Sequence, residues 1–371
     1  MATRSRRTPS PATTPSPATT PSTPSTPRTP RAPRPGRTPP SPPAPTPKRV
    51  VVTGGAGLVG RAVVRVLRER GDTVVALVRE PGRAEHLAEL GAELVESDLS
   101  DVADLTEQVR GADGLIHAAG SYRIGISKSE RGAMWDANVG TTTRILDAAE
   151  AAGTPRIVYV STGNIYGNTH GAIVDEAYRR DLGEGFLSWY DETKYGAHEV
   201  AEQRIAGGAP IVIVLPSQVY GPGDRTGLGE QLRLAHTGKL PYRALSNVRI
   251  GLVHADDLAQ GIVAALDRGR IGERYNLSGP AASLGEAEAI AATLGGHRLP
   301  WLRIPDGLLR ALAPLGRLTG QPNLRELVAA SSGVTYLHSF AKAEAELGFT
   351  ARDLETGLRD TFGAAQSADA D

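Results

Sequence analysis

Short apolar runs alternate with helix-like segments along most of the chain from residue 49 onward. The first run, 49–53, is rich in β-branched residues and leads through glycines into apolar positions at helical spacing that end at Gly71. The same rhythm predicts strands at 74–78, 93–96, 114–117, 157–161 and 211–215 and helices near 83–90, 101–110, 131–152 and 190–206. Because the strands are continuously apolar, we expect a parallel sheet covered by helices on both faces.

This rhythm loosens after about residue 216, which predicts a smaller lobe beside the sheet. We predict an α/β doubly wound domain over 48–216 and 251–279, and a discontinuous substrate-binding lobe over 217–250 and 280–371. Ligands of such folds bind at the carboxyl ends of the strands, so the lobe is expected to cover that edge. The lobe contains an apolar stripe that either packs into the core or contacts a membrane surface or a partner, formed by Leu308, Leu309, Leu312, Leu315 and Leu318.

Residues 1–47 have a different composition. They hold 16 of the 27 prolines and seven arginines but no acidic residue. Such a segment cannot bury enough apolar surface to fold, so we predict a disordered tail, either a solvated extension or a weakly basic tether. Its arginines are too dilute to indicate nucleic-acid binding. The zero formal charge therefore hides an acidic remainder, with 34 of the 41 basic side chains against all 41 acidic ones.

Absent residue types narrow the chemistry further. The chain has no cysteine and no paired-histidine motif, so disulfides, thiolate chemistry and a metal centre are not expected. It lacks an apolar run of about 18 residues, and the tail lacks the apolar segment of a secretion signal. We therefore expect a cytoplasmic protein without a transmembrane segment.

A glycine-rich turn, TGGAGLVG at 53–60, follows the first strand. Gly54 permits the tight turn, Gly57 lets backbone amides approach a pyrophosphate, and Gly60 lets the next helix pack closely on the sheet. The positive end of that helix would face the phosphates. The position of this turn between a strand and a helix predicts that it binds a dinucleotide.

The end of the second strand distinguishes NAD from NADP. An acidic side chain there bonds the ribose 2′-hydroxyl, whereas a basic one meets a 2′-phosphate. Val78 holds the expected position and Arg79 follows, which favours NADP(H), while Glu80 keeps NAD(H) open as the alternative. Asp98 and Leu99, after the third strand, either position the adenine or belong to the start of the next helix.

Tyr190 and Lys194 are spaced i, i+4 on a predicted helix, so their side chains share one face. A tyrosine exchanges protons near neutrality only if its pKa of about 10 is lowered, and a nearby ammonium favours the phenolate. Ser161 and Thr162 end the strand at 157–161 and offer hydroxyls that could align a carbonyl or alcohol with Tyr190. The alternative is a Ser/Thr turn that only closes the strand.

Further motifs follow in order: HAAG at 117–120, STGNIYG at 161–167, YDETK at 190–194, LPSQVYGPGD at 215–224 and VHADDLAQG at 253–261. Together with the glycine-rich turn they resemble the extended short-chain dehydrogenase/reductase superfamily, of the NAD-dependent epimerase/dehydratase type, over roughly 49–363. The resemblance implies a Rossmann fold and a homodimer formed through the helices near 131–152 and 190–206.

The resemblance also assigns roles to individual positions. It implies that Tyr190 is the acid/base, Lys194 its partner and Thr162 the third member of a catalytic triad. It implies that Gly54, Gly57 and Gly60 hold the diphosphate, that His117, Ala118 and Ala119 line the cofactor, and that Pro216 and Ser217 lie near the nicotinamide. The predicted cofactor site consists of these residues together with Leu58, Val59, Arg79, Asp98, Leu99 and Lys194. Asn138, in ANVGT, has either a structural or a proton-relay role.

Smaller features bear on the substrate. ALVRE at 76–80 is similar to dihydroflavonol-reductase-like proteins, and GLVHADDLA at 251–259 also resembles hopanoid-associated sugar epimerases. Asp191 replaces the glycine that usually follows the tyrosine in nucleotide-sugar enzymes, and RIGL at 249–252 replaces their usual Arg-Asp-Tyr. Candidate pocket residues, for which loop packing is the equal alternative, are Tyr122, Arg123, Asn164, Gln218 and Tyr220.

We therefore predict an NADP(H)-preferring reductase or dehydrogenase that acts on a small ketone, aldehyde or secondary alcohol. The alternative is a sugar epimerase or dehydratase that recycles its cofactor. A non-catalytic nucleotide-binding protein is disfavoured by the Tyr190–Lys194 pair.

Overall fold

The computed structural model describes residues 47–314 and 324–368. The tail predicted at 1–47 lies outside the described residues except for its last position, as do Leu315 and Leu318 of the apolar stripe. The strands are β1 Arg49–Thr53, β2 Thr73–Val78, β3 Glu93–Glu96, β4 Gly114–His117, β5 Ile157–Val160, β6 Ile211–Pro216, β7 Gln218–Tyr220, β8 Arg243–Ala244, β9 Arg249–His254, β10 Arg274–Leu277, β11 Ala281–Ser283 and β12 Arg303–Ile304.

The α-helices match the predicted positions in the first half of the chain and add several in the second. They are α1 Leu58–Glu69, α2 Glu85–Glu89, α3 Val102–Val109, α4 Arg131–Trp135, α5 Thr141–Ala151, α6 Trp189–Ala206, α7 Gly227–His236, α8 Ala255–Arg268, α9 Leu284–Leu294, α10 Asp306–Leu312, α11 Leu324–Ala329, α12 Ala341–Leu347 and α13 Leu354–Ala368. The single helix predicted near 131–152 is divided by a π-helical turn at Asp136–Gly140.

Seven strands form one sheet in the order β10-β6-β5-β4-β1-β2-β3, and every pairing within it is parallel. The chain starts in the middle, fills one side with β2 and β3, and then crosses to the other side with β4. This reversal next to β1 opens a crevice at the carboxyl edge, where the α/β fold binds its ligands. The predicted doubly wound Rossmann fold is therefore confirmed.

Apolar side chains cover both faces of this sheet. One cluster joins α1 and α8 to the sheet through residues such as Val63, Leu67 and Ile262, all fully buried. The other joins α3, α5 and α6 through residues such as Leu105 and Ile145. Each buried aliphatic side chain contributes about 1.5–3 kcal/mol, so the carboxyl edge of the sheet is supported by a continuous core beneath it.

Outside the seven-stranded sheet, the segments that follow β6 form a second group of elements, here called the lobe. It contains a three-stranded sheet, β11-β9-β7, and a third apolar cluster that includes Leu232, Ala287 and Leu358. The core-packing interpretation of the stripe on α10 is wrong for two of its members, since Leu308 is 49% and Leu312 44% exposed. Both lie on a helix of only seven residues that packs against α11.

Candidate active site

The glycine-rich turn closes tightly between β1 and α1. Gly54 has φ +74°, and a Cβ added there would lie 2.6 Å from the amide nitrogen of Ala119. A Cβ added to Gly60 would lie 2.1 Å from the carbonyl oxygen of Gly54. Both positions therefore exclude a side chain, as close helix–strand packing requires.

The start of α1 is open to an anion. Gly57 precedes the helix without a side-chain cap, and the first turn carries no acidic residue. The first backbone amides of a helix have no partner within it, so those at Leu58, Val59 and Gly60 can donate to a phosphate. The turn therefore fits the diphosphate of a dinucleotide.

A buried polar chain connects the strand ends behind this turn. Thr53 Oγ1 lies 2.7 Å from His117 Nδ1, and His117 Nε2 lies 3.1 Å from the hydroxyl of Thr142. Burial, and secondarily the charge of Lys194, lower the pKa of His117 to about 3, so the imidazole is neutral. The backbone amide of Ala118 donates to the carbonyl oxygen of Thr53, and that of Ala119 donates to the Thr53 hydroxyl. These bonds hold the segment after β4 that is predicted to line the cofactor.

Tyr190 and Lys194 lie one turn apart on α6, and both side chains are buried. The Lys194 ammonium donates to the carbonyl oxygen of Val160, at 3.3 Å, and lies 5.3 Å from the centroid of the Tyr159 ring. Burial lowers the pKa of Lys194 to about 8. The ring of Tyr190 meets the edge of Tyr122, with centroids 4.8 Å apart.

The expected lowering of the pKa of Tyr190 by Lys194 is not what the structure shows. Burial raises the pKa of Tyr190, the nearby Tyr122 adds to the rise, and a hydrogen bond with Thr162 opposes it. The reason is that the phenolate loses its hydration in this pocket, whereas Lys194 is directed at the Val160 carbonyl. In this structure Tyr190 is therefore a protonated hydroxyl.

Thr162 and Ser161 follow β5, but only Thr162 interacts with Tyr190. The Thr162 hydroxyl accepts a hydrogen bond from the Asn164 amide, at 3.2 Å, and begins a short 3₁₀ turn at Gly163–Tyr166. The hydroxyl of Ser161 lies 3.1 Å from Nδ1 of His198 on α6. The turn-closing alternative is therefore also realised, by the same threonine that meets Tyr190.

The residues assigned to the adenosine end lie after β2 and β3. Arg79 is exposed, and its guanidinium has no hydrogen bond or ion pair with any other residue of 47–314 or 324–368, whereas Glu80 pairs with Arg83 at 3.0 Å. Asp98 is exposed and accepts from the Ser100 amide, at 2.9 Å. Leu99 is buried with φ 61°, an uncommon conformation for a leucine.

The residues predicted to lie near the nicotinamide, Pro216 and Ser217, are less exposed than Arg79 and Asp98. Pro216 is the last residue of β6, and the hydroxyl of Ser217 accepts a long hydrogen bond, 3.4 Å, from the Gly279 amide. Among the proposed pocket residues, Tyr220 belongs to the core of the lobe: it is 1% exposed and packs against His254. Arg123 pairs with Glu130 at the surface, 2.5 Å apart.

Asn138 connects three parts of the site. Its side-chain amide donates to the Ser121 carbonyl, at 3.1 Å, and to the Thr193 hydroxyl, at 2.9 Å, and its oxygen accepts from the Ser121 amide at 2.7 Å. It lies on the π-helical turn between α4 and α5, a feature that often marks functional positions. These contacts show a structural role at the junction of α5 and α6.

Sequence reasoning missed the residues that approach the site from far along the chain. Glu326 on α11 accepts from the backbone amide of Trp189 at the start of α6, at 2.6 Å. Tyr336 interacts electrostatically with Asp191 and Tyr122, and Arg180 forms an ion pair with Asp191. None of these pairs has a characteristic spacing, and only the unusual Asp191 after Tyr190 gave a signal.

The described residues contain no group of three or more histidine, aspartate or glutamate side chains arranged to hold a metal ion. In the same ranges no helix combines the length and the apolarity that a bilayer crossing needs.

Comparisons with known proteins agree with this geometry. Residues 50–278 match the model of the NAD dependent epimerase/dehydratase family. A putative dihydroflavonol 4-reductase from Synechocystis sp. is 34% identical over 83% of this chain and 92% of its own length. The crystal structure of gox2253 superposes with a TM-score of 0.77 at 31% identity, covering 86% of this chain and 98% of the other.

A second solved structure, PA4631, described as a nucleoside-diphosphate-sugar epimerase from Pseudomonas aeruginosa, has a TM-score of 0.72 at 28% identity. It covers 86% of this chain and 98% of its own. Reductases and sugar-modifying enzymes are thus both represented among the similar proteins. The chain belongs to the NAD-dependent epimerase/dehydratase family and is an NAD(P)-dependent enzyme.

Proposed function

We propose that this enzyme is an NADP(H)-preferring reductase that interconverts a ketone or aldehyde and the corresponding alcohol. The observation that carries the proposal is the position of Tyr190. Its side chain is buried at the carboxyl edge of the sheet, next to Thr162 and followed one turn later by Lys194. A protonated phenol and a second hydroxyl there can receive one carbonyl oxygen.

A bound nicotinamide dinucleotide supplies the hydride for this chemistry. During reduction Tyr190 donates its proton to the oxygen that becomes the alcohol, while the Thr162 hydroxyl holds the same oxygen. The raised pKa of Tyr190 keeps the proton on the phenol until a negative charge develops next to it. Lys194 lies on the same face of α6 as Tyr190. Its ammonium can therefore hold the cofactor ribose and stabilise the phenolate that remains after proton transfer.

The charges at the end of β2 favour NADP(H). The guanidinium of Arg79 is exposed and has no partner in the described part of the chain, so it is available to a 2′-phosphate. The acidic alternative, Glu80, is already paired with Arg83. An arginine suits a phosphate because its planar donors match the phosphate oxygens.

The substrate side of the site favours a neutral carbonyl compound over a nucleotide sugar. Asp224 lies near Tyr122, and burial raises the pKa of its carboxyl group. Arg123, the candidate cation in this region, is paired with Glu130. The carboxyl group of Asp224 next to Tyr122 disfavours a diphosphate at that point, and the neighbouring Arg225 is the exposed cation of this region that has no partner among the described residues. The relative named as a putative dihydroflavonol 4-reductase agrees with a carbonyl substrate.

Incubation with NADPH or NADH and a panel of carbonyl compounds, followed by nicotinamide absorbance, tests the proposal. We expect NADPH oxidation that requires an added ketone or aldehyde and is lost in Tyr190→Phe while NADPH binding is retained. Tyr195→Phe, on the same helix, is the matched control and should remain active. Conversion of a nucleotide sugar without net NADPH consumption would instead establish the epimerase or dehydratase alternative.

A further inference from the structure

A buried ion pair lies directly beside Tyr190. Arg180 Nη1 is 3.0 Å from Asp191 Oδ1, and Arg180 Nη2 is 3.2 Å from Asp191 Oδ2. The side chains are 4% and 1% exposed, and no other ion pair within 47–314 and 324–368 has both partners below 5%. Such a pair is costly to bury and leaves an uncompensated charge if one partner is removed.

The guanidinium of Arg180 joins three segments around the site. It donates to the carbonyl oxygen of Gly185, at 2.7 Å, and stacks on the ring of Phe186, 4.5 Å from the centroid. On its other side it faces Gly167, where an added Cβ would lie 3.2 Å from the guanidinium carbon. Gly167 ends the turn that starts at Thr162, so Arg180 connects that turn to the loop before α6.

Asp191 completes the connection on the helix. One carboxylate oxygen accepts from the backbone amide of Leu187, at 3.1 Å, and the backbone amide of Asp191 donates to Ser188, the residue before α6, at 3.1 Å. The first turn of α6, which carries Tyr190, is thereby fixed to the loop that precedes it. Since Tyr190 must meet an oxygen held by Thr162, the relative placement of the helix and the turn determines whether the two hydroxyls converge.

The pair also sets the charge next to the phenol. Burial is the largest cause that raises the pKa of Tyr190, the Asp191 carboxylate adds to it, and the guanidinium of Arg180 is the cation paired with that carboxylate. The titratable groups that face Tyr190 from the surrounding elements are Tyr122, Tyr159, Asp191 and Lys194, with Asp224 and Tyr336 facing Tyr122. Arg180 lies against Asp191, a member of this set, so the loss of Arg180 would change the net charge next to Tyr190.

We propose that Arg180 is a positioning residue for proton transfer, which holds the first turn of α6 through Asp191 and cancels the negative charge beside Tyr190. The inference rests on the proposed function, in which Tyr190 exchanges a proton with the substrate oxygen. The pair is proposed to have two effects. The geometric effect is on the distance between Tyr190 and Thr162, and the electrostatic effect is on the ionisation of Tyr190. A pair that only stabilised the fold would have the geometric effect without the electrostatic one.

The test is the pH dependence of kcat for alcohol oxidation, in which Tyr190 must be ionised. Arg180→Met leaves the Asp191 carboxylate unpaired, so the pH at which kcat reaches half its maximum should rise by about one unit. Asp191→Asn removes the negative charge and should shift it downward. The double variant Arg180→Met/Asp191→Asn removes both charges and should return the midpoint to within a few tenths of a unit of the wild type.

Each single variant is also expected to lower kcat at least tenfold, with the KM for the nicotinamide cofactor unchanged because the glycine-rich turn is untouched. Arg204→Met is the matched control, since it breaks an ion pair with Asp147 near the other end of α6. It should move neither kcat nor the pH midpoint. If Arg180→Met does not fold, Arg180→Lys and Asp191→Asn carry the same test, with a rescued midpoint expected for lysine.

Equal losses of kcat with unmoved pH midpoints would overturn the proposal and leave the pair a structural one. The result is separable from the proposed function. If Tyr190→Phe keeps full turnover, the assignment of Tyr190 fails; if Tyr190→Phe is inactive while both single variants behave like wild type, only the role of Arg180 fails.

Discussion

Ser161 and Thr162 are neighbours in sequence, but their hydroxyls have different partners. Ser161 Oγ lies 3.1 Å from Nδ1 of His198, beneath the site, whereas the Thr162 hydroxyl accepts from the Asn164 amide and lies next to Tyr190. The alternation of side chains along an extended strand explains the difference, because successive residues point to opposite faces. The adjacent pair therefore offers a hydroxyl with a proposed catalytic role and one without.

Thr162→Val should lower kcat about 100-fold, since removing one hydrogen-bonding group at a reacting oxygen typically costs this much. Ser161→Ala should change kcat less than threefold and should lower stability instead, because it deprives Nδ1 of the buried His198 of its hydrogen-bond partner. Steady-state kinetics and urea unfolding of both variants measure the two effects. Equal kinetic losses in the two variants would contradict the assignment of Thr162.

Gly60→Ala should abolish dinucleotide binding. The added methyl group would lie 2.1 Å from the carbonyl oxygen of Gly54, so the turn must open and its amides must leave their positions at the phosphates. Titration of the variant with NADPH, followed by cofactor fluorescence, should show at least a 100-fold weaker Kd. Gly82→Ala is the control, because a Cβ at Gly82 meets no atom within 4 Å; a normal Kd for Gly60→Ala would refute a binding role for this turn.

Local patterns were sufficient to predict the sheet and the glycine-rich turn. The β-branched run before Gly54 and the helical spacing after it each depend on residues a few positions apart, and the structure has β1 and α1 there. The parallel order then brings Thr53, His117 and Val160 to one edge without further information. Placement of Tyr190 near Thr162 follows from the same topology.

The contacts that shape the site come from long-range packing. Glu326 lies 137 residues from Trp189, and no period or motif in the sequence connects them. Tyr220 belongs to the motif LPSQVYGPGD, yet its side chain packs into the lobe because α13 and β9 cover it. This packing depends on the tertiary arrangement and not on the motif. The ionisation of Tyr190 is similar: spacing identifies Lys194 as a neighbour, but the extent of burial determines the direction in which the pKa moves.

Arg79→Gln should raise the KM for NADPH about tenfold and leave the KM for NADH within twofold, because one charged contact to a phosphate is worth about 1.4 kcal/mol or more. The guanidinium of Arg79 has no other task among the described residues, so the fold should not respond. Arg110→Gln removes an exposed arginine at the end of α3 and serves as the charge control. An equal rise in both KM values would show that Arg79 does not distinguish the two cofactors.

Stability should fall as the pH is lowered from about 6.5, because several histidines are buried in their neutral form. Burial, which is the largest cause in each case, lowers the pKa of His117 and His198 to about 3 and that of His338 to about 4. An unfolded chain binds a proton at each histidine below about pH 6.5 and the folded chain does not, so protons favour unfolding over this range. Glu288 acts in the opposite direction, since burial raises its pKa to about 7.

His338→Gln isolates one of these contributions. Between pH 6.5 and pH 5, each histidine that is buried in its neutral form should lower the unfolding free energy by about 1.5 kcal/mol. Neither ring nitrogen of His338 has a hydrogen-bond partner among the described residues, so the variant should mainly remove this pH dependence. Urea unfolding at the two pH values should therefore show a drop about 1.5 kcal/mol smaller in His338→Gln than in wild type, and an unchanged drop in His297→Gln, where the histidine is exposed. An identical drop in His338→Gln and wild type would mean that His338 is protonated in the folded protein.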